Sequence, residues 1–322
     1  LHEPRGKAIE KLRIRAKAKL PRLESRAKNS APLDASKNKA DHLKRLLRQA
    51  AEQLRDAGAE EPERLAEELW LLSTDCTRTQ FLLGESEISP SAQLRFEKFL
   101  GRALSGEPLA YLAGMAAFYG FEFQVDPRVL VPRMDSECLL DLALEITSSR
   151  ESGFCGDFGT GSGCLLLSFL AHRPKWNGLG IDLSSEALAV AKKNAESLNL
   201  AGQCQWLNGS WEEELELPKL DLMIANPPYV LPGEELGFGV QEHEPALALF
   251  TPKGKPMTPY CSLLVHARES LTPNGILLFE IGAGRDEEVV SLCVDNQFKV
   301  QEVRRDLGGI KRVVYASRPA SI

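Results

Sequence analysis

Residues 136–316 alternate short apolar runs with amphipathic helical stretches, residues 41–114 carry helical spacing alone, and residues 116–131 alternate in steps of two. These three patterns predict an α/β domain on a seven-stranded, mostly parallel sheet, preceded by a small helical domain and joined to it by a β-hairpin. The length of 322 residues accommodates two domains.

Residues 1–40 hold 12 Lys and Arg against 4 Asp and Glu, include Pro21 and Pro32, and are expected to form a basic, disordered tail. From residue 41, Leu43, Leu46, Leu47, Ala50 and Leu54 fall on one helical face, with Lys44, Arg45 and Arg48 outside it. Gly58 ends that helix. Pro62 and Pro90 suit the first turns of two more, the second capped by Ser89. Those helices carry Leu65, Leu69 and Leu72, then Leu94, Phe96 and Leu100. Residues 41–114 offer no chemistry of their own and are expected to recognise the body of a substrate.

The linking hairpin is placed within residues 115–135. Phe118, Tyr119, Phe121, Phe123 and Val125 precede Asp126-Pro127, and Val129 and Val131 follow, so the turn is expected at Asp126-Pro127. Residues 136–147 read as a helix bearing Leu139, Leu140, Leu142 and Leu144. Strands are expected at 154–158, 178–181, 203–207, 220–225, 276–281, 298–303 and 312–316. Helices are expected at 164–171, 185–198, 260–271 and 286–293. Such alternation places ligands at the carboxyl ends of parallel strands. The last two strands have no helix between them and should pair as an edge hairpin.

Composition narrows the function. No run approaches the ~20 apolar residues that span a bilayer, and no secretory apolar core opens the chain, so membrane and secreted readings are set aside. Seven cysteines without a C-x-x-C pair fit reduced thiols in a cytoplasmic setting, or an organelle if the tail is a targeting remnant. Five histidines show no metal spacing, so no metal is expected. The net charge is −6 although the tail is basic, which leaves an acidic body and argues against nucleic acid as the substrate.

Asp157-Phe158-Gly159-Thr160-Gly161-Ser162-Gly163 closes the first strand of the sheet and opens a helix. Glycines there let main-chain N–H groups approach a nucleoside or its polar tail, although a tight turn would look the same. Asp182 ends the next strand, where a carboxylate can accept ribose hydroxyls or merely cap a helix. Together they point to a nucleoside cofactor, NAD or S-adenosylmethionine. Asn226-Pro227-Pro228-Tyr229 ends the strand at 220–225 and favours the second. Two prolines fix the backbone and remove two donors, so carbonyls can face a pocket. A planar NH2 group held by the Asn226 side chain and the Pro227 carbonyl, with Tyr229 on its face, would satisfy them.

The chain here resembles the HemK/PrmC family of protein-(glutamine-N5) methyltransferases, which modify peptide chain release factors. The resemblance spans about residues 61–318. It includes Gly106-Glu107-Pro108-Leu109-Ala110-Tyr111-Leu112, Phe118-Tyr119-Gly120, Val131-Pro132-Arg133-Met134-Asp135-Ser136-Glu137, Glu244-Pro245-Ala246-Leu247-Ala248-Leu249, Phe279-Glu280-Ile281-Gly282, and Asp306-Leu307-Gly308-Gly309 with Arg312-Val313-Val314. It implies a Rossmann-like, S-adenosylmethionine-dependent domain over residues 136–322. By it, Gly159, Thr160, Gly161, Ser162 and Gly163 hold the methionine part of the cofactor, Asp182 the ribose, and Trp211 the adenine. Asn226, Pro227, Pro228 and Tyr229 hold the substrate glutamine, and Asn226 also contacts the cofactor. Class I release factors are the implied partners, the glutamine lies in their GGQ motif, and a monomer is expected. Two departures stand out. Met134 and Ser136 replace the family's usual Pro and Thr, and Phe250-Thr251-Pro252-Lys253-Gly254-Lys255-Pro256 replaces a Gly- and Asp-rich stretch.

The implied reaction needs alignment more than a strong base, because the sulfonium methyl is already activated. No general base is assigned, and His243 is expected to be a surface or lid residue. Two other readings remain open: an N-methyltransferase acting on an exocyclic amine of a nucleic-acid base, and a non-catalytic cofactor-binding subunit.

Overall fold

A computed structural model describes residues 33–86 and 88–318, with side chains from residue 41 onward. The tail expected at residues 1–40 lies outside the described residues as far as residue 32. Helix α1 spans Leu33–Asp56, so it begins eight residues before the boundary expected from apolar spacing. Extending an existing helix adds a hydrogen bond per residue without a new nucleus, which lets residues 33–40 join it.

The chain divides into two compact units, one running up to Met115 and including Leu236–His243, the other comprising Ala116–Glu235 and the residues from Glu244. In the first, α1 is followed by α2 (Pro62–Ser73), α3 (Arg78–Leu82), α4 (Pro90–Ala103) and α5 (Leu109–Ala113). Both prolines sit in first turns, and the Ser89 hydroxyl accepts from the Ala92 amide. Leu54, Leu69, Trp70 and Phe96 form the buried centre, with Trp70 and Phe96 edge to face at 5.6 Å. Leu94 is 69% exposed, contrary to expectation. The buried face of α4 is Ala92, Phe96 and Ala103, and Leu94 lies about 200° around the helix from Ala92.

Residues 236–243 joined to the helical unit were not foreseen. Gly106 and Gly239 both have positive φ, and a Cβ added to Gly239 would lie 1.9 Å from the Gly106 carbonyl oxygen. Only two glycines allow main chains that close. His243, in the short helix α9 (Val240–His243), donates from Nε2 to the Ser105 carbonyl at 2.7 Å.

A hairpin begins at the last residue of the first unit and runs into the second, with strands β1 (Met115–Phe118) and β2 (Phe121–Gln124). Its turn is Tyr119-Gly120, not Asp126-Pro127, and both turn residues have positive φ, 50° and 80°. A two-residue turn of this kind matches strand twist, so Gly120 outweighed the Asp-Pro signal. Then follow α6 (Glu137–Ile146), β3 (Gly153–Phe158), α7 (Cys164–His172), β4 (Trp176–Asp182), α8 (Ser185–Ser197), β5 (Cys204–Asn208) and β6 (Leu220–Ala225). After α10 (Ala246–Leu249) and α11 (Thr258–Ser270) come β7 (Leu271–Glu280), α12 (Asp286–Asp295), β8 (Lys299–Arg305) and β9 (Lys311–Ser317).

The sheet order is β5-β4-β3-β6-β7-β9-β8, parallel through β7, with β9 antiparallel between β7 and β8. Successive residues of β6 face opposite sides: Leu222 and Ile224 pack with α6 and α7, Met223 and Ala225 with α11. Both faces are thereby covered, which explains the nearly unbroken apolar runs. The order reverses between β3 and β6, where ligands enter open α/β sheets. Phe158 pairs with Ile181 and Ala225, and Ala225 with Phe279. That register brings Gly159, Asp182, Asn226 and Glu280 to one edge.

Candidate active site

Beyond Phe158 the chain turns sharply, with Gly159, Gly161 and Gly163 at φ values of 75°, 55° and 80°. The Gly159 and Thr160 amides both donate to the Ile181 carbonyl at 2.9 Å, folding the loop over the end of β4. The Gly161 amide then donates to Asp182 Oδ2, and the Ser184 amide to Oδ1, each at 2.9 Å. Each carboxylate oxygen can accept a further hydrogen bond. Burial raises the Asp182 carboxyl above its usual range, while the Ser184 and Gly161 amides oppose the rise.

The five loop residues do not serve alike. A Cβ on Gly161 would meet only the Gly159 carbonyl at 4.0 Å, so bare main chain faces open space there. A Cβ on Gly163 would crowd Leu167 at 3.0 Å and Ala191 at 3.3 Å, so that glycine lets α7 and α8 pack closely. Thr160 and Ser162 are buried. The Thr160 hydroxyl donates to Asp157 Oδ2 at 2.7 Å, and the Ser162 carbonyl accepts from Asn194 Nδ2 at 2.9 Å. Asn194 also exchanges two hydrogen bonds with the Gln124 main chain, tying β2 to the loop. Asp157 is buried, and its Oδ1 has no hydrogen-bond partner among the described residues. Burial lifts its carboxyl to about 7, with hydrogen bonds from the Thr160 hydroxyl and the Leu166 amide opposing.

The Trp211 ring lies against the loop, where a Cβ on Gly159 would approach it to 3.0 Å. Its carbonyl accepts from the buried His266 Nε2 at 2.9 Å. Asn208 Nδ2 donates to the carbonyls of Asp182 and Leu183, both at 2.9 Å, holding the end of β4.

At the end of β6, Asn226 Nδ2 donates to the Ser136 hydroxyl oxygen at 3.1 Å. Ser136 donates to Glu280 Oε2 at 2.5 Å, and the Tyr229 hydroxyl donates to Glu280 Oε1 at 3.1 Å. Glu280 is 1% exposed. Its carboxyl is raised by burial, against the Ser136 and Tyr229 bonds and the nearby Arg312 charge. Burial and Glu280 both raise the Tyr229 phenol, which keeps it a donor. The Tyr229 ring rests on Gly282, where a Cβ would meet it at 3.2 Å. One buried carboxylate thus holds both ends of Asn226-Pro227-Pro228-Tyr229. The NH2 group of Asn226 gives one of its two hydrogens to Ser136.

The Arg133-Met134-Asp135-Ser136-Glu137 segment fastens several separate parts of the chain. Arg133 pairs with the buried Glu244 at 2.5 Å, and Glu244 also accepts from the Val131 amide. Asp135 accepts from Arg312 at 3.1 Å, while Arg312 also reaches Asp306 at 3.0 Å. Glu137 accepts from the Tyr119 amide at 2.9 Å, bracing the hairpin turn. Met134 is 60% exposed and stands within a single 3-10 turn, Met134–Ser136. After Tyr229, Val230 bridges Phe250, and the Thr251 amide donates to the Val230 carbonyl at 2.9 Å. The departing stretch that begins at Phe250 is therefore held against the chain just after Tyr229.

Sequence reasoning missed Ser136, Glu280, Asp157 and His266 as site residues. Glu280 carried a signal: a charged residue inside the apolar run Ile276 to Ile281 must be paired when buried. The residues present fit S-adenosylmethionine: an orphaned buried carboxylate oxygen at Asp157, bare main chain at Gly161, and spare acceptor capacity on Asp182. Groups of three or more His, Cys, Asp and Glu able to hold a metal are absent among the described residues. No helix among them is long and apolar enough to cross a membrane.

Residues 45–114 match the PrmC N-terminal domain model, and residues 135–242 match the methyltransferase small domain model. The chain is 36% identical over 284 residues to the release factor glutamine methyltransferase of Moorella thermoacetica, covering 86% of this chain and 98% of that protein. It is 34% identical over 282 residues to the protein of that name from Nitratidesulfovibrio vulgaris, covering 86% and 95%. It is also 31% identical over 303 residues to the bifunctional methyltransferase of Rickettsia conorii, of which it spans 57% of the length. With its helical unit, its seven-stranded sheet and these relatives, the chain belongs to the release factor glutamine methyltransferase family, whose catalytic domains depend on S-adenosylmethionine.

Proposed function

We propose that this chain transfers a methyl group from S-adenosylmethionine to the side-chain amide nitrogen of a glutamine in class I peptide chain release factors. The observation that carries the reading is the commitment of Asn226 Nδ2 to Ser136. It leaves Oδ1 as the acceptor at the carboxyl end of β6, the strand beside the glycine loop. An acceptor there suits an NH2 group and not a carboxylate.

When bound, S-adenosylmethionine supplies a methyl group already activated by its sulfonium. Asp182 would hold the ribose, the Gly159 to Gly161 main chain and Asp157 the methionine part, and Trp211 would flank the adenine. Asn226 Oδ1 and the Pro227 carbonyl would accept from the two substrate N–H groups. They orient the nitrogen and stabilise the positive charge that develops on it. Tyr229, fixed between Glu280 and Gly282, would close one face of the amide. The proton leaves to water once the N–C bond has formed. The helical unit, residues 41–115 with 236–243, would recognise the body of the protein substrate.

Radiolabelled S-adenosylmethionine offered separately with release factor, duplex DNA and ribosomal RNA tests the reading. Label in the release factor, lost when its glutamine is replaced by alanine, is the expected result. Label in nucleic acid would instead identify a base N-methyltransferase.

A further inference from the structure

Resting on that reading, we propose that Ser136 and Glu280 are positioning residues that set which way round the Asn226 amide stands. The argument is one of counting hydrogens. An ionised carboxylate only accepts, and a serine hydroxyl has one hydrogen to give. Ser136 gives it to Glu280 Oε2 at 2.5 Å. Its oxygen can then only accept, so the Asn226 atom 3.1 Å away must be the NH2 nitrogen. Oδ1 is thereby turned away from Ser136. The Tyr229 hydroxyl occupies the other oxygen of Glu280, so the same carboxylate sets the direction of both bonds.

The consequence is specific. With no acceptor at position 136, nothing distinguishes the two orientations of the amide, and the flipped one would present NH2 to the substrate's own NH2. Two donors cannot bond, and the nitrogen would lose an aligning acceptor. Binding made elsewhere along the cofactor and the protein substrate would be untouched. The effect belongs on kcat and not on KM.

The test is a set of single-turnover rates on release factor, with cofactor affinity measured in parallel. Ser136→Ala should lower kcat roughly 10- to 100-fold, with KM and cofactor Kd within about threefold of the parent. Ser136→Thr, which keeps the hydroxyl, should restore the rate to within about threefold. In the Asn226→Ala background, Ser136→Ala should cost less than about twofold more, because the amide it orients is gone. Glu280→Gln gives a second route, since its NH2 can face Ser136 and reverse the chain; its loss should likewise vanish when Asn226 is alanine. A Ser136→Ala rate within twofold of the parent would overturn the proposal. So would a loss that persists undiminished beside Asn226→Ala, or one matched by an equal loss of cofactor affinity. Failure of the parent to label release factor at all would instead overturn the proposed function.

Discussion

The Gly161 amide donates to the Asp182 carboxylate at 2.9 Å, so the turn after β3 and the turn after β4 are held by one charge. Asp182 therefore shapes the loop, besides being the residue proposed to hold the ribose. Asp182→Ala should weaken S-adenosylmethionine binding by about 1.5–3 kcal/mol. Asp182→Asn should weaken it too, because one of the Gly161 and Ser184 amides would then face an NH2 group. Titration calorimetry would check both. Unchanged affinity in either variant would remove Asp182 from the cofactor site.

Asn226→Ala removes the aligning acceptor and should lower kcat by about 10²–10³. Asn226→Asp is more informative. The ionised carboxylate it introduces needs a donor that Ser136 has already given to Glu280, so the variant should be poorly active at pH 8. On acidification the carboxyl pair gains a shared proton; a protonated side chain at position 226 can donate to Ser136 and keep its carbonyl. Its rate relative to the parent should rise as the pH is lowered, with Asp135, Arg312 and Tyr229 the other charged or titratable groups around the pair. A ratio independent of pH would contradict this hydrogen-bond direction.

Asp157 links stability to pH. Its folded carboxyl sits at about 7, above the ordinary 3.8, so the folded protein keeps a proton that the unfolded chain releases. The stability contributed by this group is therefore greatest below the unfolded value and is lost as pH rises from about 4 to 7, then levels. Asp157→Asn removes that penalty. It should raise unfolding free energy by about 1–4 kcal/mol at pH 8 and bring no gain near pH 4. Denaturant titrations at the two pH values would show it. The variant should also bind cofactor more weakly, since Asp157 is proposed to hold its methionine part.

Gly239→Ala should detach residues 236–243 from the helical unit, because a Cβ would stand 1.9 Å from the Gly106 carbonyl and φ is +75°. Hydrogen exchange at Phe238 to His243 should accelerate at least tenfold, an opening about 1.4 kcal/mol easier. Methylation of intact release factor should fall with it. Parent-like exchange would mean the main chains can part without consequence.

Much was legible because it depends on local rules. Pro62 and Pro90 mark helix starts, the apolar runs mark strands buried on both faces, the glycine loop and Asn226 follow strand ends, and Asp182 closes one. Parallel register then carries those three to one edge. The hairpin turn was misplaced because two turn signals competed within eight residues, and only pairing of Met115–Phe118 with Phe121–Gln124 favours Gly120. Leu94 was misplaced because leucine spacing fits more than one helical face.

What only the tertiary structure decided is the wiring between distant segments. Ser136 and Glu280 are 144 residues apart, and Asn226 and Ser136 are 90 apart. The sequence by itself determined which residue types stand at each strand end, since periodicity, glycine and proline act over a few positions. It did not determine that Glu280 orients Asn226 through Ser136, or that Gly106 meets Gly239. Those depend on which strands become neighbours, and strand order is chosen by burial of the whole sheet.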